Sequence, residues 1–341
     1  MINNSLIKNY LIVFVCILFS YGCEQNETSP QVDVSAIKVE LKIHRFDQTL
    51  FAIQPDSIQS NIPLLEKKFG NFFNLFCAKI INIGGTNYRN FASLLQRYVS
   101  DYNMLTVFSD CQKTFNNISD LTNGLTGGFK FYKYYFPDKN IPEIYFYMGG
   151  FNQSIVTSEN ILGIGLDKYL GKKYPFYSRL GLSTYQCYKM QKEFILPDCF
   201  RAIAWSEFSY KDSVNDLIHN MIYQGKIQYF INAMLPEIAD TIKFGYTKSQ
   251  WDWCLQNEKS MWSYLIDKKK LFITSEKEIK HYINDAPFTS FFSHQSPGRT
   301  GVWLGWRIVN KYMKKHPKIT LEEMMLDNDY EKILNGSKYN P

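Results

Sequence analysis

The sequence predicts an α+β domain, predominantly helical, in which a small β-sheet precedes a long central helix. Three observations carry that expectation. Across residues 212–236 apolar side chains recur at helical spacing (Leu217, Ile218, Met221, Ile222, then Ile227, Phe230, Ile231, Met234, Leu235), which marks a helix buried on most of its circumference. Residues 143–148 and 161–167 are rich in β-branched and aromatic side chains and bounded by Gly, the pattern of two strands joined by a polar loop. Elsewhere the helical period prevails.

In chain order, residues 34–46 alternate apolar and polar side chains (Val39, Leu41 and Ile43 against Lys38, Glu40 and Lys42) and read as a strand that opens the domain. Residues 62–83 and 87–108 have helical periodicity, punctuated by Gly84 and Gly85; 110–131 starts helical and is expected to loosen at Asn123, Gly124, Gly127 and Gly128. Gly163 and Gly165 lie inside a strand and not in the turn before a helix, so their spacing is not a nucleotide loop. Residues 168–182 read as an aromatic loop, 186–194 as a short helix, and 199–208 as a helix begun by Pro197 and Asp198. Asp212 or Ser213 is expected to cap the central helix, and Pro236 to end it. Thr247 or Ser249 is placed to cap a helix carrying Trp251, Glu258 and Trp262. Pro297 and Gly298 make a turn before a helix with bulky faces (Val302, Trp303, Trp306, Ile308), in which Gly301 and Gly305 allow close packing. A last helix surrounds Met324. No internal repeat or low-complexity linker interrupts residues 34–341, so they read as a single domain.

With 45% hydrophobic and 16% aromatic residues, the chain of 341 is a folded protein with a sizeable core. Its net charge of +6 is spread along the sequence and forms no basic stripe, which excludes a nucleic-acid partner. The N-terminus has a lone Lys8, an apolar run over 11–19 and small residues ahead of Cys23. That run is too short for a comfortable membrane span, so 1–22 reads as a signal peptide. Ser20, Tyr21 and Gly22 before Cys23 look like a relaxed lipobox, and Cys23 is the expected lipid-attachment residue. Residues 23–33 then form a polar tether. Cys77, Cys111, Cys187, Cys199 and Cys254 include no C-x-x-C pair; most are expected to be buried thiols, although export permits a bridge and Cys187 with Cys199 is the nearest pair.

The central helix carries the one chemical motif. A zinc-peptidase helix reads H-E-x-x-H because residues four apart share a face, letting two imidazoles bind the metal while the Glu activates its water. Here His219 is followed by Asn220 and Tyr223 at the Glu and second His positions. Asn cannot accept a proton from water, and a phenol is a poor zinc ligand. Glu258 lies where a downstream third ligand would be, and Arg299 stands before its helix as an anion contact or a pin for the turn. The expected vestigial cleft therefore comprises His219, Asn220, Tyr223, Glu258 and Arg299, with no metal, no cofactor and no catalytic residue. The competing expectation is a metallopeptidase with a non-standard set of His219, Glu258 and one of His281, His294 or Asp216.

Arg45-Phe46-Asp47, Gly165-Leu166-Asp167 with Tyr169-Leu170-Gly171, His219-Asn220-Met221 with Gly225-Lys226, Gly245-Tyr246-Thr247, Trp253-Cys254 through Trp262, Pro297-Gly298-Arg299 to Gly305-Trp306, and Ser337-Lys338-Tyr339 together resemble the gliding motility-associated lipoprotein GldB family. That resemblance implies a cell-envelope lipoprotein of Bacteroidetes-type bacteria, lipid-anchored at the periplasmic face or the outer membrane. Its implied partners are the membrane, through the N-terminal lipid, and other proteins of the gliding apparatus and its associated secretion machinery. A more distant likeness to zinc peptidases implies a zincin-like domain whose chemistry has been removed.

Overall fold

The structure, a computed structural model, describes residues 32–211 and 214–341. The expected signal segment, Cys23, the tether up to residue 31 and the caps Asp212 and Ser213 lie outside these residues. By its internal contacts the chain divides after Ala36. In the first unit, Ser35 N–H donates to Asp33 Oδ1 at 2.9 Å. The unit Ile37–Pro341 holds every strand and helix among the described residues.

One sheet runs in the order β1-β2-β4-β3, from β1 (Ile43–Arg45), β2 (Glu143–Tyr147), β3 (Ile155–Ser158) and β4 (Ile161–Gly165). β1 and β4 flank β2 in parallel, while β3 lies antiparallel on the outer side of β4. The strand expected over 34–46 is thus reduced to three residues. Its pairing begins at Ile43 opposite Ile144, and Val39 and Leu41 pack half-buried against the core instead of joining a ladder. The polar loop expected between the main strands contains β3, which returns to β4 through Glu159 and Asn160, the latter at φ +55°. Only Ile155 and Val156 betray it in a polar stretch, too little for a periodicity.

Because strand side chains alternate, β2 supplies two cores. Ile144 and Phe146, with Met148 just beyond the strand, enter the larger one, and Tyr145 and Tyr147 the smaller. The smaller core is built with α1 (Phe46–Phe51), α2 (Ile58–Leu75) and α3 (Phe91–Ser100); Phe72 stacks on Tyr145 at 4.2 Å. Gly163 and Gly165 lie against the Tyr147 ring, and a Cβ would come within 2.5 Å of Val156 at the first and of Gln153 O at the second. Their spacing serves packing.

The remaining helices are α4 (Tyr102–Thr114), α5 (Ser119–Tyr135), α6 (Pro175–Arg179), α7 (Thr184–Tyr188), α8 (Ile195–Glu207), α9 (Leu217–Met234), α10 (Asp240–Phe244), α11 (Lys248–Asp267), α12 (Glu276–Ile283), α13 (Thr300–Lys315), α14 (Leu321–Leu326) and α15 (Tyr330–Ser337). The single helix expected over 87–108 is two, because Asp101 turns extended and caps α4 by accepting from Met104 N–H at 3.0 Å. The loosening expected after Asn123 does not occur. α5 runs on because Gly124 and Gly128 are where α8 presses on it: a Cβ there would meet Leu196 or Phe200 at 2.4 Å. The aromatic loop contains α6, and α8 begins at Ile195 with Pro197 in its first turn, where a missing N–H is harmless. Thr247 caps α11 in a capping box with Gln250, as its position predicts.

The central helix, α9, starts later than expected, at Leu217 with Asp216 as its cap. Two further N–H groups of its first turn donate outside the helix, Leu217 to Ile273 O at 3.0 Å and Ile218 to Leu271 O at 2.8 Å. Its buried circumference rests chiefly on α13, and the two backbones touch where Gly225 meets Gly305. Where β1 passes into α1, Arg45 donates from Nε and Nη2 to the Asp47 carboxylate at 2.9 and 2.7 Å, and Gln112 Nε2 adds a third bond at 2.9 Å. All of Cys77, Cys111, Cys187, Cys199 and Cys254 are free and buried, and burial raises the thiols of Cys77, Cys111, Cys199 and Cys254 above the ordinary range.

Candidate functional site

Three of the expected site residues sit at the start of α9. His219 is buried, with its backbone N–H on Asp216 Oδ1 at 3.0 Å and its ring 5.6 Å from that of Tyr330. Asn220 Nδ2 donates to Asn215 Oδ1 at 2.8 Å and to Asp216 O at 2.7 Å, so its amide fastens the helix start. Tyr223 meets the Tyr210 ring edge-on at 5.3 Å, and burial raises its phenol, which keeps it protonated at neutral pH.

One turn on, Lys226 is buried, its Nζ donating to Asp327 O and lying 5.3 Å from the centre of the Tyr330 ring. Burial lowers its ammonium to about 8, with Asp327 opposing. A folded-state value below the unfolded one means that this side chain holds more protons in the unfolded chain between about pH 8 and 10.5, so its own contribution to stability rises with pH across that window. Urea melts of the parent and of Lys226→Met should therefore diverge. The parent gains roughly 3 kcal/mol relative to the Met variant from below to above the window. A constant difference would contradict a charged, buried Lys226.

Glu258 and Arg299 have other partners. Glu258 Oε1 accepts from Arg307 Nε at 2.9 Å and from Tyr339 O–H at 2.6 Å, joining α11 to α13 and to the residues after α15. Arg299 has φ +61°, donates from Nη1 to Phe244 O at 3.1 Å, and holds Nε 3.7 Å from Asp285. His281 Nδ1 is 3.4 Å from Ser290 Oγ, and the His294 ring packs on Phe288 at 4.3 Å. Among the described residues no three His, Cys, Asp or Glu side chains are grouped to share a metal ion.

A cleft of about 870 Å³ lies between the edge strand β3, α8 and the segment from Ile283 to Asp285. Of the five expected site residues only Arg299 lines it, together with Gln224 of α9. Its other cations are Lys168, Lys189 and Arg201, and its carboxylates are Asp198 and Asp285. Arg201 Nη1 donates to Asp198 at 2.7 Å and Nη2 to Lys243 O at 2.7 Å, while its buried Nε has no acceptor among the described residues. Lys189 pairs with Asp285. Burial lowers Lys189 and Arg201, each also repelled by Arg299. For Asp285 burial acts upward, but Arg299 and Lys189 outweigh it and hold the carboxyl below its usual range. Four cations against two carboxylates leave the cleft net positive.

A family model described as "Gliding motility protein GldB" matches residues 27–341. The chain belongs to that family. GldB membership makes it a gliding-motility-associated lipoprotein, which fits a cell-envelope location. No curated protein and no solved structure matches it significantly. Among the described residues no helix is long and apolar enough to cross a membrane. Within the GldB match, the residues that sequence reasoning missed are Lys189, Arg201 and Asp285. Asp198 and Arg201 stand three apart on one helix, a legible pair; nothing in the sequence joins them to Lys189 or Asp285.

Proposed function

We propose that this GldB-family chain is a non-catalytic lipoprotein of the gliding apparatus and its associated secretion machinery, a peptidase-like scaffold that holds a partner protein without cutting it. The observation that carries this reading is the use to which α9 puts the two altered motif positions. Asn220, where a general base would stand, is bonded to Asn215 and to the Asp216 carbonyl. Tyr223, where a second imidazole would stand, is packed on Tyr210 as a neutral phenol. Neither can activate water or hold zinc in the manner of an H-E-x-x-H helix. A four-stranded sheet with an antiparallel edge, followed by the central helix, supports the zincin-like part of the reading. The lipid on Cys23 places the domain at the membrane in this reading, with residues 24–33 as its spacer.

Gliding assays test both halves. His219→Phe keeps a ring against Tyr330 and gives up the imidazole nitrogen that lies 3.7 Å from Asp216 Oδ1; where the variant folds, gliding should stay within about twofold of the parent, as expected of a residue with a structural role. Cys23→Ala should abolish gliding. A folded but immotile His219→Phe strain, or stoichiometric zinc with peptide cleavage by the purified chain, would overturn the non-catalytic role. Normal gliding with Cys23→Ala would overturn the anchored one.

A further inference from the structure

The edge of the sheet and the charge of the cleft belong together. β3 has β4 on one side only. Gly165 N–H donates to Ser154 O at 2.7 Å, which fixes Ser154 with Gly165, and by alternation Val156 with Gly163 and Ser158 with Ile161, as the hydrogen-bonded pairs. Ile155 and Thr157 fall between them, so their N–H and C=O groups turn away from β4. Both residues line the cleft. No described residue takes up those four backbone groups. α8 presents Arg201, Ala202 and Trp205 to the same space, and Lys189 and Arg299 stand with Arg201 as its cationic side.

We propose that this cleft binds an extended peptide segment carrying an acidic side chain, the peptide backbone adding to the outer edge of β3 and the carboxylate settling among Lys189, Arg201 and Arg299. The inference rests on the reading that the chain holds a protein partner, and it names the kind of segment held. Strand addition explains why a half-buried edge is left unpaired. Backbone bonds to Ile155 and Thr157 set register, and side chains at every second peptide residue face the cleft. The excess of positive charge selects the acid: Asp198 and Asp285 each neutralise part of the cluster, and an added carboxylate meets the donors left over, in a size range usual for ligand sites. A basic or neutral peptide gains nothing from them.

The test is selection of a random dodecapeptide display library on the full-length chain in detergent, followed by titration of a labelled selected peptide. Selected sequences should share an Asp or Glu at a fixed place in a run of β-branched residues. Lys189→Gln should weaken the peptide at least about tenfold, and more at low salt than at high. Thr157→Pro removes one outward N–H from an edge strand without breaking a β3–β4 bond, and should weaken it similarly, whereas Thr157→Val should not. Thermal melts verify that each variant is folded, and Lys189→Gln is read if Thr157→Pro is not. No enrichment, enriched peptides lacking an acid, binding indifferent to these substitutions, or binding of inorganic phosphate alone would each overturn the proposal. Cell assays separate it from the broader reading. Gliding that persists when both cleft variants have lost the peptide overturns this cleft as the working site and leaves the lipoprotein role standing. Cleavage of a selected peptide overturns the non-catalytic role and leaves the binding site standing.

Discussion

Gly305→Ala should lower the stability of the domain by at least about 3 kcal/mol, and Gly225→Ala should do the same from the other helix. The expected size follows from how α9 and α13 cross. A Cβ on Gly305 would lie 1.7 Å from Met221 O, and one on Gly225 would lie 2.2 Å from the carbonyl carbon of Gly305. Both obstacles are backbone, so no rotamer change relieves them. The helices must move apart, and each is buried along most of its length, with Trp303, Ile222 and Phe230 among the displaced contacts. Helix propensity acts the other way, favouring Ala over Gly by about 1 kcal/mol, and is outweighed. Gly127 supplies the control. It also lies in a helix, but a Cβ there meets nothing within 4 Å, so Gly127→Ala should be neutral or stabilising. Urea midpoints at unchanged m-value give the comparison, and a Gly305→Ala chain as stable as the parent would refute the close crossing.

The second large effect is expected at Asp47→Ala, a loss of about 3–5 kcal/mol. The carboxylate is fully buried and accepts two bonds from the Arg45 guanidinium and one from Gln112. Its removal strands a guanidinium whose side chain is only 17% exposed and whose remaining partners, Phe115 O and Gln112 Oε1, carry no formal charge. Asp47→Asn keeps the shape but not the charge and should lie between parent and Ala. Replacing Arg45 together with Asp47 by Met and Leu should recover part of the loss, since the penalty belongs largely to the unpaired partner. Equal losses for the single and double replacements would show that packing, not the ion pair, sets the effect.

These two sites differ in how far the sequence discloses them. Gly305 could be read as a point of close approach from its place among bulky residues, but its partner Gly225 could not, because no rule of spacing joins two helices so far apart. Periodicity found the long helices and the two inner strands, whose side chains repeat over whole turns or pleats. It failed where tertiary contact decides. Gly124 and Gly128 look like breaks and are seats for α8; β3 is too short to show its alternation; α9 takes its cap from Asp216 because the loop at Leu271 and Ile273 satisfies the neighbouring donors. The same division holds at the site. The H-N-M-I-Y stretch is legible because its chemistry depends on one helix face. Lys189, Arg201, Asp285 and Arg299 are brought to one cleft by four different segments, and each alone looks like an ordinary surface ion.

The thiols sealed in the interior have a practical consequence. With none of the described cysteines open to solvent in the native state, an alkylating reagent can mark them only after a segment opens. Cys77 lies with the tyrosine-faced side of the sheet and Cys111, Cys187, Cys199 and Cys254 with the opposite side, so the order in which they are tagged would time the loosening of each half separately. The protein thus carries its own set of chemical clocks, and a single cysteine placed on its surface would report on docking without competition from them.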